Sequence, residues 1–181
     1  MEKEKWIELL NSWENFALIV GDVENYQDHL DQLMEIALSG DDSRYWRAAW
    51  LADKINEKNP GLMEPHVKPM IERLMVPLDS GRKRHFLKLI SLFPTPDEYD
   101  GFLMDFCLKT LTSDHEPPAV RVHAMQVLFN LSEKLPDLKP ELCTIIENEM
   151  EYHPTPGILT RGKKLVVKLT KQLYRQNTSS I

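Results

Sequence analysis

Glycine and cysteine are both scarce in this chain. Only 7 of its 181 residues are glycine and 2 are cysteine. So few glycines leave little material for a sheet built on tight turns. No GxGxxG or P-loop run is present, and neither are HExxH or GxSxG, so none of these catalytic or phosphate-binding signatures is available. Cys107 and Cys143 lack CxxC spacing, which excludes a disulfide framework and a cysteine-based zinc site. They read as reduced thiols in apolar helical surroundings. Basic excess is missing too. Lys and Arg number 22 against 28 acids, a net charge of −6, which argues against a general nucleic-acid binder. No run approaches the ~20 apolar residues of a membrane span. The start MEKEKWIELL lacks a signal peptide's apolar stretch. The expectation is a cytoplasmic protein with no membrane association, cofactor or metal.

What the chain does have is proline, 12 residues of it, and an ordinary hydrophobic share of 42%. That combination fits helices punctuated at their ends. Internal periodicity is visible as well. Arg44–Leu62 and Val120–Leu138 match at an offset of 76, and half that offset lands on Arg82–Phe93 and Ile158–Leu169. At this 38-residue spacing four columns line up. The first holds Ala48, Phe86, Ala124 and Gly162. The others begin at Leu51, Ala52 and Ile55 and end at Leu165, Val166 and Leu169. The spacing i, i+3, i+4, i+7 is one face of a helix, and a mostly small first column allows close helix approach. Second helices are predicted over 65–75, 97–111 and 138–151, with an earlier one over 23–38. SGDDS, PTPD and HPTPG are the breaks between them.

These columns, and above all PPAVRVHAMQVLFNLSEKLP, resemble HEAT or armadillo-type repeats. The resemblance covers roughly residues 23–175. It implies an all-α fold, a right-handed α-α superhelix (a HEAT-like solenoid) of about four two-helix repeats. The tetratricopeptide pattern needs a period of about 34 and its own signature, and neither is present. A weaker resemblance is to small bacterial HEAT-like proteins sometimes labelled adenylosuccinate lyase. The Gly-Ser-Ser loop of that lyase family is missing, and the adjacent serines here, Ser179 and Ser180, stand at the end of the sequence. One domain is expected over 1–176, with an atypical cap at 1–22, a basic capping helix at 156–176 and a disordered tail at 177–181.

Candidate functional residues lie where the repeat pattern breaks. Trp46 and Trp50 fall opposite the inward face, where later repeats carry mostly polar residues. They read as an aromatic anchor for a partner, or as a surface covered by the N-terminal segment with Trp6 and Trp13. A column of Arg47, His85, His123 and Arg161 reads as an anion-binding or pH-sensitive stripe, or as side chains snorkelling at the seams between repeats. The second-helix surface carries Asp31, Glu35, Glu72 and Glu149, with Lys68 and Lys109 between them, and would prefer a basic peptide. The last 28 residues hold six basic side chains and no acid, which leaves the rest of the chain at −12. That asymmetry suits an acidic partner, a second copy or a solvated cap. Glu149, Glu151 and His153 cluster, but do not make a metal site.

No catalytic residue emerges. The function expected from this fold is a non-enzymatic interaction or scaffold module with a protein partner, not nucleic acid or membrane. The alternatives are an enzyme on the same scaffold, DNA-glycosylase-like or the lyase of the sometime label, and a structural homo-oligomer such as a homodimer.

Overall fold

The computed structural model describes Glu8, Leu10, residues 27–40 and residues 43–179. Among the described residues every regular element is helical. The chain divides into two compact units, Met1–Thr95 and Pro96–Ile181, where the sequence reads as one array.

The first unit holds α1 (Gln27–Leu38), α2 (Trp46–Lys58), α3 (Val67–Leu74) and α4 (Ser80–Ile90). Helix α2 packs on α1 and on α4, and α3 packs on α4 and α1. The second unit holds α5 (Asp100–Leu111), α6 (Pro118–Lys134), α7 (Lys139–Tyr152) and α8 (Pro156–Ser179). Here α6 packs on α5, α7 and α8, and α7 packs on α8. Helix α8 includes residues 177–179, where the sequence suggests a disordered tail.

Prolines set the joints. The second helices α3, α5 and α7 each follow a 3-10 turn, at Glu64–His66, Asp97–Tyr99 and Pro136–Leu138. The turns account for the one to three residues by which these helices start later than the sequence suggests. Proline fixes φ and lacks an N–H, so it opens such a turn more readily than it continues a helix. Gly61 adopts φ 107° just before the first of these turns, a conformation that favours glycine.

Most positions of the columns read from the sequence lie in the two cores, whereas Phe93 and Val166 are only half-buried. Ala48, Leu51, Ala52 and Ile55 of α2 are buried, as are Phe86, Leu89 and Ile90 of α4. In the second unit Ala124, Val127, Leu128, Leu131, Leu165 and Leu169 are buried. Burying each large side chain is worth about 1.5–3 kcal/mol. The small first column has a local reason at Gly162, where a Cβ would fall 2.6 Å from Met150 Sδ.

Helix α1 ends on Gly40, at φ 44°, and its last carbonyls need donors. Two arginines supply them. Arg82 is buried and donates to Ser39 O at 2.8 Å and Gly40 O at 3.1 Å. It also pairs with Asp79, whose side chain caps α4 by accepting from Arg82 N at 2.9 Å. Arg73 donates to Leu38 O at 2.9 Å. Replacing Arg82 with methionine keeps the stem and deletes the donors. It is expected to cost about 1.5–3 kcal/mol, the range for hydrogen bonds involving charged groups. A denaturant midpoint reads this directly, and a loss below about 0.5 kcal/mol would show that Arg82 is not the tie.

Candidate functional site

The exposed side of the second helices is built from pairs four residues apart, which share one helix face. On α1 these are Asp31 and Glu35, on α3 Lys68 and Glu72, on α5 Asp105 and Lys109, and on α7 Glu147 and Glu151. All eight are exposed. Behind them Leu33, Ala37, Met70, Ile71, Leu103, Cys107, Leu142 and Ile146 are buried, so each helix has its apolar face in the core and its charged row outward. In the first unit the row carries Asp31, Glu35 and Glu72 against Lys68. Asp31 Oδ1 also lies 3.3 Å from His66 Nε2. Burial lowers the His66 pKa, and the neighbouring Asp31 only partly restores it.

Glu149 does not belong to that exposed row, although the sequence pattern puts it there. It is buried and ion-paired with Arg121, itself buried. Arg121 Nε donates to Leu111 O at 2.8 Å. His153 closes the cluster, with Nδ1 3.1 Å from Glu149 and Nε2 2.8 Å from Asp114. The reason is tertiary: Arg121, on α6, reaches a position on α7 that its helix turns toward the core.

Trp46 and Trp50 are each half-buried. Trp46 lies against the first turn of α4, where a Cβ on Gly81 would come within 2.7 Å of Trp46 Cβ. Trp6 and Trp13 lie outside the described residues. Leu10 is buried, and its carbonyl accepts from Arg47 at 2.7 Å.

The basic column divides by environment. Arg47 is half-buried and tied to Leu10, and His123 is half-buried on α6. Arg161 donates to Gln126 Oε1 at 2.6 Å across the α6–α8 seam. His85 is buried at the α2–α4 seam, with Nδ1 3.0 Å from Asp53 Oδ2. Sequence reasoning missed Asp53, because an acid outside the hydrophobic stripe reads as solvated. Lys88 Nζ lies 2.8 Å from Asp53 Oδ1 and 2.7 Å from Glu57, extending the pair into a chain of charges. Burial pushes the Asp53 carboxyl up, but the hydrogen bonds from His85 and Lys88 outweigh it and leave the pKa below the usual carboxylate value.

Among the described residues no group of three His, Cys, Asp or Glu side chains is placed to hold a metal ion. Burial raises the Cys107 thiol well above its ordinary range, which disfavours the reactive thiolate. Among the described residues no helix is long and apolar enough to cross a membrane. What the geometry offers is surface: charged rows on the second helices and the outer face of α8.

A family model described as a HEAT repeat domain matches residues 10–169. No curated protein and no solved structure matches the chain.

Proposed function

Because the chain belongs to the HEAT repeat domain family, whose repeats in general mediate protein–protein interaction or scaffolding, we propose that it is a non-enzymatic interaction module. Its acidic second-helix row, Asp31, Glu35 and Glu72, takes a basic segment of a partner protein. One observation carries the reading: these carboxylates stand exposed on consecutive second helices whose opposite faces are fully packed. A row of one sign steers and orients a partner of the other sign. Arg47, His85 and Arg161 are weaker candidates for direct contact, because internal bonds engage them at helix seams.

The half-exposed indoles favour a second anchor. Trp side chains concentrate binding energy where they can be desolvated, and Trp46 and Trp50 retain exposed surface for that.

The test uses a fluorescein-labelled Lys/Arg-rich peptide followed by anisotropy. The triple variant Asp31→Lys/Glu35→Lys/Glu72→Lys is expected to weaken binding at least ~10-fold, and added salt to weaken wild-type binding further. Trp46→Ala and Trp50→Ala form a parallel arm for the second anchor. Binding that ignores the charge reversal would contradict the acidic row. Tight, salt-sensitive binding of duplex DNA instead would favour the glycosylase-like alternative.

A further inference from the structure

The 38-residue register assigns each first helix the same stacking face, and two such faces are occupied within the units. On α2 the face carries Ala49, Asp53, Asn56 and Glu57. The first three are buried, and α4 lies across the seam with His85 and Lys88 on Asp53 and Glu57. On α6 the same register gives Met125, Phe129, Ser132 and Glu133. Again the first three are buried, and α8 lies across the seam. Its Lys168 Nζ sits 5.4 Å from the Phe129 ring centre, and its Gln172 bonds Glu133 at 3.2 Å. In both stacks the incoming helix brings basic or donor groups to an acidic or electron-rich face.

The next step of the register falls on α8, at Lys163, Val167, Thr170 and Lys171. All four are exposed, Val167 to 62%. With Val166, Tyr174 and Arg175 the last three line a shallow, mainly apolar groove along the helix. Among the described residues, Val167 and Tyr174 are among the most exposed large apolar side chains, and both lie on this face. The charge on this face is positive where the occupied faces are neutral or acidic, and is inverted at Lys171. Lys163 stands where α2 and α6 carry Ala49 and Met125, and Lys171 where they carry Glu57 and Glu133.

We propose that this face of α8 docks an acidic amphipathic helix of a partner protein, seated as α4 is on α2 and α8 on α6. The inversion selects the occupant. A helix with basic flanks, the kind both occupied faces accept, meets Lys163 and Lys171 and is repelled. A second copy meeting the same face through a two-fold axis places lysines on lysines. A helix with apolar residues at i, i+3/i+4 and i+7 and glutamates at its flanks covers Val167 and Thr170 and pairs with the lysines. This inference rests on the interaction-module reading but uses a different surface from the acidic row.

The probe is a fluorescein-labelled helical peptide with a Leu face and Glu flanks, with a Lys-flanked counterpart as control. The acidic probe is expected to bind the wild-type chain at least ~10-fold more tightly than the control; Val167→Glu is expected to abolish that tight binding, and Lys163→Glu/Lys171→Glu to reverse the preference. These exposed positions should leave the circular-dichroism melt unchanged. Equal binding of the two probes, or indifference to both variants in folded protein, would overturn the proposal. Sedimentation showing a dimer that Val167→Glu dissolves would overturn it in favour of a second copy. The acidic-row titration runs on the same samples. Failure of the wild-type chain to bind the acidic probe, with basic-peptide binding intact, refutes this face alone, and failure to bind either probe refutes the module.

Discussion

Replacing Arg121 with alanine will destabilise the C-terminal unit by about 3–5 kcal/mol, the range for breaking a buried ion pair from one side. Arg121 and Glu149 are 4% and 6% exposed, so the carboxylate left behind lies out of reach of bulk water. One more group loses a partner, because Leu111 O loses its donor, and Glu149 is left with His153 at 3.1 Å. The control is the double variant Arg121→Met/Glu149→Leu, which removes both charges and keeps apolar volume. It should recover most of the loss, because the cost comes from the stranded charge more than from the missing attraction. Chemical denaturation of the three proteins gives the answer. A double variant as unstable as Arg121→Ala would shift the explanation to lost packing.

Asp53 gives the second large effect, with a distinctive pH signature. Asp53→Ala strands His85 and Lys88 at the α2–α4 seam and is expected to cost about 3 kcal/mol near neutral pH. The folded-state pKa of Asp53 is depressed. Its contribution is therefore fully present above the unfolded value, 3.8, and is lost as pH falls through the lower folded value. Lys88 moves the other way. Burial lowers its pKa, but bonds to Asp53 and Glu57 outweigh that and raise it above 10.5. Its contribution holds below 10.5 and is lost as pH rises through the higher folded value. The stability gap between wild type and Asp53→Ala should thus be flat across neutral pH and close at both extremes. A gap that stays constant down to strongly acidic pH would mean that Asp53 acts through shape and not charge.

The helical fold was legible because hydrophobic spacing is local. Ala48, Leu51, Ala52 and Ile55 announce a buried stripe within three turns, and the repetition of that stripe along the chain points to repeats. The helix joints were legible to within a few residues for the same reason, since Pro65, Pro94, Pro136 and Pro154 interrupt the pattern where they stand. What stayed hidden depends on partners far along the chain. Glu149 looks solvated until Arg121, 28 residues earlier, is brought beside it. Asp53 reads as a surface acid until α4 sets His85 and Lys88 against it. One sequence signal could have found Asp53: in the 38-residue register its column continues to Phe129, a core residue type. An acid in a column that also holds an aromatic deserves a search for a buried cation. The candidate surfaces were legible in composition but not in exposure. Asp31, Glu35 and Glu72 lie outward as the sequence suggests, whereas Trp46 and Trp50 are half-covered by packing that helix spacing alone does not convey.

The most direct measurement is affinity purification of the tagged full chain from its native host, beside the Asp31→Lys/Glu35→Lys/Glu72→Lys variant. An interaction module should return with a protein partner in stoichiometric amount, and the variant should lose it while keeping its melting temperature. Recovery of the wild-type chain alone and monomeric, with no partner for the variant to lose, would contradict the proposed function.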